Sequence, residues 1–282
     1  MKIYYDTRKP KLYELQTKAF FTPLMTFLQA RPNCTLRELN QQFSEKGFVK
    51  YLESCIEVGW IERADRRYQL NLPFYTQEDQ QQVAKEAAVQ ELLQDLLHLS
   101  QEELATFLQP FVTCQPETAY LVAEDVPMGR LQVAGLPGDL QAFSLVTKPD
   151  ASDLAGYFVA NRHLEEPVLY SQLAQLIGDV DEEYYFQQVQ WILSRVGKGK
   201  TPKASIFYES LLLTGILTKE NQLTIPYLRN LSENAELKTK IMKLNHFEIS
   251  VLLGFLCENR FKGLFRWFYK EKTILANKRE NN

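Results

Sequence analysis

The chain has 282 residues, of which 45% are apolar and 24% are charged, and its formal net charge is −3. This composition is that of an ordinary globular protein with enough length for two domains. No run of about 18 apolar residues occurs, so the sequence predicts no membrane-spanning helix. The N-terminus also lacks the apolar stretch of a secretory signal. We therefore expect a cytoplasmic protein that does not act at a membrane.

The charge is unevenly distributed along the chain. Residues 1–75 carry a net charge of +4, residues 76–155 carry −10, and residues 156–282 carry +3. Two mildly basic blocks thus flank an acidic one, which excludes a uniformly basic protein that coats nucleic acid. A local contact of either basic block with phosphate stays open.

The four cysteines form no CxxC or CxH pair, so the spacing expected of a metal site is absent. We expect reduced thiols that pack in the core, with no metal and no cofactor. The four are Cys34, Cys55, Cys114 and Cys257.

Residues 18–75 predict three helices followed by a β-hairpin. The stretch "AFFTPLMTFLQARPN" supplies the first helix, and "LRELNQQF" supplies a second, which Thr35 and Glu38 can begin with a capping box. In "SEKGFVKYLESCIEV" the apolar residues fall on one helical face, and Gly59 ends that helix. The stretch "WIERADRRYQLNLPFY" then alternates apolar and polar residues around a polar turn, which predicts a strand, a turn and a strand.

The pattern "TLRELNQQF…FVKYLESCIEVGWIERADRRYQL" resembles the winged helix-turn-helix of many bacterial regulators. The resemblance covers residues about 18–75. It implies that the third helix offers its outward face to the major groove and that the hairpin is the wing.

A later stretch repeats this pattern at a spacing of 156 residues. "ESCIEVGWIERADRRYQLNLPF" begins at Glu53, and the similar "ESLLLTGILTKENQLTIPY" begins at Glu209. The sequel is also shared, because "HLSQEELATFLQPF" resembles "KLNHFEISVLLGFL". We interpret this as a duplicated unit, with convergence on one pattern as the alternative.

The second copy carries an insertion. An amphipathic helix over 180–196 is predicted, with Tyr184, Phe186, Val189, Ile192 and Leu193 on its apolar side. A flexible basic loop, "GKGKTPK", follows it. The third helix of this copy, "SIFYESLLLTGIL", is apolar nearly all round, which predicts that it is buried.

The predicted fold is mainly α, of the α+β class, with two winged-helix-like domains, small β-hairpins and a short β-containing connection. The N-terminal domain spans 1–112, the β-rich linker 113–153, and the second domain 154–282. The whole chain is similar to uncharacterised bacterial proteins of Gram-positive type that carry such a domain once or twice, and this resemblance implies no known activity.

Five basic residues are the candidate nucleic-acid contacts. The third helix of the first copy would present its lysines to phosphate, but Glu53 and Glu57 on the same face would oppose it. Wing arginines commonly enter a minor groove or contact phosphate. A solvated face and turn of mixed charge are the alternative. The five candidates are Lys46, Lys50, Arg63, Arg66 and Arg67, and an N-terminal arm adds Arg8, Lys9 and Lys11.

The C-terminal segment, about 260–272, is rich in both aromatic and basic residues. Helical spacing of its aromatic residues predicts a helix. Three interpretations stay open: docking on the second domain, a homodimer contact, or a position on a membrane surface.

No catalytic motif is present, because the chain has no GxxxxGK[ST], GxGxxG, HExxH or GxSxG. We therefore expect a non-enzymatic binding protein with no catalytic residue. One hypothesis is a nucleic-acid-binding or transcription-regulatory protein that contacts double-stranded DNA through the first winged helix. The other is a protein-interaction scaffold whose winged helices mediate contacts with partners and dimerisation.

Overall fold

The computed structural model describes residues 1–5, 9–113, 118–123, 128–162, 168–229 and 234–270. The fold is a mixed α+β structure, as the sequence predicts. The strands are β1 (Lys2–Tyr4), β2 (Cys34–Thr35), β3 (Ile61–Ala64), β4 (Arg67–Leu70), β5 (Phe74–Tyr75), β6 (Tyr120–Val122), β7 (Arg130–Ala134), β8 (Leu140–Val146), β9 (Tyr227–Leu228) and β10 (Leu264–Lys270). The helices are α1 (Pro10–Gln16), α2 (Phe21–Ala30), α3 (Leu36–Gln42), α4 (Phe48–Glu57), α5 (Gln77–Lys85), α6 (Ala87–His98), α7 (Gln101–Leu108), α8 (Leu154–Arg162), α9 (Ser171–Ile177), α10 (Glu182–Val196), α11 (Ile206–Leu213), α12 (Ala235–Ile241) and α13 (His246–Phe261).

The chain divides into two compact units, and each is built from two separate stretches. The first unit comprises Met1–Val83 and Cys114–Val126, and the second comprises Ala84–Thr113 and Pro127–Asn282. This division does not follow the predicted boundaries after residues 112 and 153. The physical reason is side-chain burial, because α6 and α7 bury leucine-rich faces within the second unit, where α6 packs on α12 and α13.

The first unit holds two small sheets around one apolar core. In one sheet β6 lies between β1, which is antiparallel to it, and β5, which is parallel. In the other, β4 pairs antiparallel with both β2 and β3. The observed order from α2 to β4 contains the three helices and the hairpin predicted for residues 18–75. The largest side chains fully buried in this core are Trp60, Tyr68, Phe48, Leu24, Met25, Leu28 and Leu39.

A four-stranded sheet organises the second unit. Its strand order is β7-β8-β10-β9, and β10 pairs antiparallel with β8 over seven residues, from Leu264 opposite Val146 to Lys270 opposite Leu140. β9 completes the sheet in parallel with β10. Helices α8 to α11 cover a core that includes Tyr157, Tyr185, Phe186, Val189 and Phe268.

The predicted C-terminal helix over 260–272 is wrong. Helix α13 ends at Phe261, Lys262 and Gly263 turn the chain in left-handed conformations, and β10 follows. Phe265, Trp267 and Phe268 are buried. The segment therefore docks on its own unit, and the exposed aromatic helix on which a homodimer contact or a membrane position would rest is absent from 260–270. Residues 271 and 272 lie outside the described residues.

The predicted β-rich linker, 113–153, is divided between two sheets. β6 pairs with β1 in the first unit, whereas β7 and β8 form a hairpin that pairs with β10 in the second. It is therefore not a single β insert, because its strands find their partners at distant positions in the sequence.

The two units share one arrangement of strands. In the first, β5 follows the β3–β4 hairpin and pairs in parallel with β6. In the second, β9 follows an antiparallel bridge between Leu217 and Leu223 and pairs in parallel with β10. In both, the later strand also pairs antiparallel with an earlier one, β1 or β8.

Two predictions for the inserted region need correction. On α10 the buried residues are Tyr185, Phe186, Val189, Ile192 and Leu193, whereas Tyr184 is exposed. Helix α11 is not buried all round, because Ile206 and Leu213 are exposed. One of its faces packs against α9 and α10, and the described part of the chain leaves its other face uncovered.

None of the helices in the described part of the chain combines the length and the apolarity needed to cross a bilayer.

Substitution of Trp267 tests whether β10 is buried as observed. Its ring lies between Phe143 and Phe265, with centroid distances of 5.4 and 5.3 Å, and its Nε1 donates to Gln109 Oε1 at 3.0 Å. Trp267→Ala should lower the free energy of unfolding by about 3–5 kcal/mol, because it leaves a large cavity and an unpaired amide. Chemical denaturation followed by circular dichroism measures this. Exposed Trp191→Ala is the control, and equal small losses in both variants would contradict the burial of Trp267.

Candidate nucleic-acid interface

Local sequence signals position the two helices that precede the hairpin. Thr35 begins α3 with the predicted capping box: its hydroxyl accepts from the Glu38 amide at 3.3 Å, and Glu38 Oε2 accepts from the Thr35 amide at 2.7 Å. Gly47, at φ 99°, turns the chain into α4 in a conformation that favours glycine. Helix α4 buries Phe48 and three further residues on one face, and it leaves Lys50, Glu53 and Glu57 exposed on the other.

The hairpin between β3 and β4 ends in a tight two-residue turn. Asp65 and Arg66 form this turn, and both have left-handed backbone angles, φ 51° and 61°. Two successive left-handed residues match the twist of a two-residue hairpin, although glycine or asparagine adopts them at lower cost. The turn places the exposed Arg66 side chain at the tip.

The other two hairpin arginines have partners within the unit. The Arg63 guanidinium lies 5.6 Å from the centre of the Tyr68 ring, and its Nη1 is 3.7 Å from Glu53 Oε1. Arg67 Nη1 donates to the Asn33 carbonyl at 3.3 Å. Within the described ranges Arg66 makes no hydrogen bond or ion pair, unlike Arg63 and Arg67.

The two glutamates on the outer face of α4 are each close to a cation. Glu53 lies near Arg63, and Glu57 accepts a hydrogen bond from Lys11 Nζ at 2.7 Å. This hydrogen bond and the charge of Lys11 lower the pKa of the Glu57 carboxyl. Lys11 belongs to α1 rather than to an extended arm, Lys9 is exposed, and Arg8 lies outside the described residues. The sequence pattern did not indicate the Lys11–Glu57 pair, because 46 residues separate its members.

All five predicted contact residues are exposed and belong to the first unit. Lys46 precedes α4, and Lys50 lies in its first turn. The lysines therefore lie just before and within the helix that leads into the hairpin, and the arginines lie on the hairpin itself. Two elements adjacent in the chain thus both carry exposed cations.

The corresponding surface of the second unit has a different chemistry. Ile206 and Leu213 stand 156 residues after Lys50 and Glu57, and both are exposed. The turn after Leu217 carries Lys219, but Asn221 there accepts a hydrogen bond from the Tyr208 hydroxyl at 2.9 Å. Apolar side chains therefore occupy the positions of Lys50 and Glu57, whereas the position of Glu53 keeps a glutamate, Glu209.

The described cysteines have the environment of core residues. Cys34, Cys55 and Cys257 are buried, and Cys114 lies outside the described residues. Burial raises the pKa of the Cys55 thiol to about 11 and that of Cys257 to about 12, so both stay protonated near neutral pH. Across the described ranges no three His, Cys, Asp or Glu side chains are grouped as metal ligands.

A buried acid–base cluster in the second unit was missed by the sequence analysis. Asp153 precedes α8 and is buried, with Oδ2 accepting from the Ser144 hydroxyl at 2.9 Å. Burial raises the pKa of Asp153 to about 6, although backbone amides, Ser144 and the charge of Arg266 act in the opposite direction. Arg266 Nη1 donates to the carbonyls of Ser152, at 2.8 Å, and Thr214.

The hollow beside this cluster has room for about one water molecule. It is lined by Asp153 and Arg266 together with apolar residues of β8, β10 and the turn region after α11. Such a space fits a structural role, in which Arg266 joins the start of α8 to the end of α11. A lone buried aspartate carries no sequence signal of its own, so only the three-dimensional arrangement reveals this cluster.

Comparison with known protein families gives one match. Residues 2–111 match the model of a domain of unknown function, DUF1803. This part of the chain is therefore similar to an uncharacterised domain. Searches among curated proteins and among solved structures gave no match.

Arg266→Gln provides a pH-dependent test of the buried cluster. The substitution removes two hydrogen bonds to carbonyls and leaves Asp153 without its compensating charge, so unfolding should become easier by about 3 kcal/mol at about pH 8. Folding raises the pKa of Asp153, so protonation of this carboxyl stabilises the folded state. The stabilisation is complete below the pKa that Asp153 has in the unfolded chain, and it is lost as the pH rises through about 6. The destabilisation by Arg266→Gln should therefore shrink at about pH 5.

Urea denaturation at the two pH values measures this difference, and Lys219→Gln serves as an exposed control. A loss that is the same at both pH values would contradict the coupling of Arg266 to Asp153.

Proposed function

We propose that this is a non-enzymatic, cytoplasmic nucleic-acid-binding protein of the transcription-regulator type. Residues about 18–75 would form a winged helix that contacts double-stranded DNA through α4 and the β3–β4 hairpin. The observation that carries the proposal is the pairing of Glu53 with Arg63 and of Glu57 with Lys11. These ion pairs offset the two carboxylates that would oppose phosphate.

The residues left to contact DNA are Lys46, Lys50 and Arg66. Each is exposed and makes no ion pair within the described part of the chain. Arg63 and Arg67 would support the wing from within, through Tyr68 and the Asn33 carbonyl. Lysines at the start of a helix and an arginine at a hairpin tip fit phosphate contact and minor-groove contact, respectively.

The order of elements supports the winged-helix assignment. Helices α2, α3 and α4 precede the hairpin, and β2 joins the hairpin in a three-stranded sheet. Helix α4 is then the recognition helix, since it is the third helix and leads directly into the wing.

We further propose that the two units arose by duplication. In its favour, both contain an antiparallel strand pair or bridge, then a short parallel strand, and then a returning strand in the same order. The second copy would then carry Pro202 and Ile206 in place of Lys46 and Lys50.

A second candidate function is a protein-interaction scaffold. One observation favours it: α11 exposes Ile206 and Leu213 at the positions that carry Lys50 and Glu57 in the first unit. A protein partner could cover these apolar side chains. The two functions need not share a surface, because they use different units.

Fluorescence polarisation with a labelled random-sequence DNA duplex tests the nucleic-acid function. The full chain should bind with an affinity that falls as salt rises from about 50 to about 200 mM, because binding releases counterions. Lys46→Ala/Lys50→Ala/Arg66→Ala should lose about tenfold or more in affinity. The slope of log K against log salt should fall in magnitude by about 2–3, since about 0.9 counterions are released for each phosphate contact.

Lys219→Ala is the matched control, because it removes a lysine from the corresponding turn of the second unit. Its affinity should equal that of the unaltered chain. Absence of binding at about 50 mM salt, or equal losses in the control and the triple variant, would argue against this function and favour the scaffold.

Glu53→Gln gives a test with the opposite sign. Removing this carboxylate should strengthen DNA binding by about two- to tenfold at low salt, because a like charge near phosphate is lost and Arg63 is released. The same titration measures it, with Glu62→Gln on β3 as the control, since Glu62 accepts from Gln69 instead of pairing with a cation. Unchanged or weaker binding would show that this face of α4 does not approach phosphate.

A further inference from the structure

Helix α10 exposes two large aromatic side chains on one side. Tyr184 is 51% exposed and Trp191 is 48% exposed. They stand seven residues apart, which places them on the same helical face about 10 Å apart along the axis. The opposite face of α10 is fully engaged in the core through Tyr185, Phe186 and Val189.

A cation is already stacked on the exposed indole. The Arg195 guanidinium lies 5.0 Å from the centre of the Trp191 ring. Arg195 is itself fixed, because its Nη2 donates to the Thr201 carbonyl at 3.0 Å and its own carbonyl accepts from the amides of Lys198 and Lys200, both at 3.0 Å. Trp191, Arg195 and the following loop therefore form one ordered surface, although the sequence predicts a flexible loop.

Three lysines project from this loop. Lys198, Lys200 and Lys203 are exposed, whereas Pro202 between the last two is buried. The acidic residues of α10 lie at its other end, where Glu182 pairs with Arg162. The positive charge is thus concentrated beside Trp191.

We propose that this surface binds single-stranded nucleic acid. We call it the α10 surface and define it by Trp191, Arg195, Lys198, Lys200 and Lys203, with Tyr184 at its far end. An unpaired base would stack on the exposed indole, and neighbouring phosphates would contact the lysines, which is the combination that single-strand binding proteins use. A duplex would not supply this contact, because its bases are stacked on one another.

The chemistry of the surface favours this partner over a membrane. A membrane-bound helix presents a continuous apolar face, whereas Gln187 and Gln188 separate Tyr184 from Trp191. Asp181 and Glu183, next to Tyr184, would also repel anionic lipid. This inference does not rest on the function of the first unit, because it uses other residues and another nucleic-acid form.

Intrinsic fluorescence gives a direct readout, because the three tryptophans differ in exposure. Trp60 and Trp267 are 1% and 0% exposed, so only Trp191 can stack on an added base. Titration of the full chain with oligo(dT) of about twelve nucleotides at about 50 mM salt should quench the emission. Trp191→Ala should abolish the quenching and weaken binding, followed by polarisation of labelled oligo(dT), by about tenfold. Trp191→Phe should retain most of the affinity.

Lys198→Ala/Lys200→Ala/Lys203→Ala should weaken binding and reduce the salt slope by about 2, the value for three contacts with a single strand. Exposed Met242→Ala is the control for a general effect of surface substitution and should bind as the unaltered chain does. Arg66→Ala should also bind oligo(dT) normally, which separates this surface from that of the first unit.

Three outcomes would overturn the inference. The first is an absence of quenching and of binding at about 50 mM salt. The second is binding of heparin or oligo(dT) that Trp191→Ala does not weaken, which would show charge attraction without stacking. The third is binding of vesicles containing anionic lipid in place of oligo(dT), which would assign the surface to a membrane.

Discussion

The second unit depends on the pairing of β10 with β8 and β9. β10 lies between them, so its hydrogen bonds hold together strands that are more than 80 residues apart in the sequence. Its alternating side chains also serve two faces of the sheet. Trp267 packs between aromatic rings and reaches Gln109, whereas Arg266 joins the carbonyls of Ser152 and Thr214 on the other side. The seven residues of β10 thus contact both stretches of the chain, Ala84–Thr113 and Pro127–Asn282, that form this unit.

In the first unit, ion pairs set the charge of the outer face of α4. Lys46 and Lys50 are followed by Glu53 and Glu57 on this face, and without partners the four charges would cancel. The pairs of Glu57 with Lys11 and of Glu53 with Arg63 offset the acidic part of this pattern. These are surface pairs, which contribute little to stability. Their effect is electrostatic, because they reduce the negative potential near Lys46, Lys50 and Arg66.

Features decided by local sequence were predictable, and features decided by distant partners were not. The cap at Thr35, the buried stripe of α4 and the β3–β4 hairpin follow from spacing and turn chemistry within a few residues. The segment 260–270 shows the opposite case. Its aromatic residues fit helical spacing, but pairing with β8 and the burial of Phe265, Trp267 and Phe268 decide in favour of a strand, and β8 is more than 110 residues earlier.

The candidate sites follow the same rule. The five basic residues of the first unit could be selected from the sequence because exposed charges beside a predicted helix and turn remain exposed in the fold. The stacking of Arg195 on Trp191 depends on which side of α10 is buried. The sequence-based prediction places Tyr184 in the core, where the structure has Tyr185. Neighbouring residues of a helix point about 100° apart, so this error leaves the exposed aromatic face of α10 unrecognised.

Each unit is built from two separate stretches of the chain, and this bears on whether residues 2–111, the part that matches the family model, can fold alone. The DUF1803 match spans 2–111 and so stops before β6, the strand that lies between β1 and β5. It also includes α6 and α7, whose buried leucines pack in the second unit. A polypeptide ending at 111 would have two unpaired strands and an uncovered leucine surface, both of which promote self-association. The limits of the matched sequence are therefore not the limits of an autonomous folding unit, and the chain has to supply 120–122 before its first sheet can close.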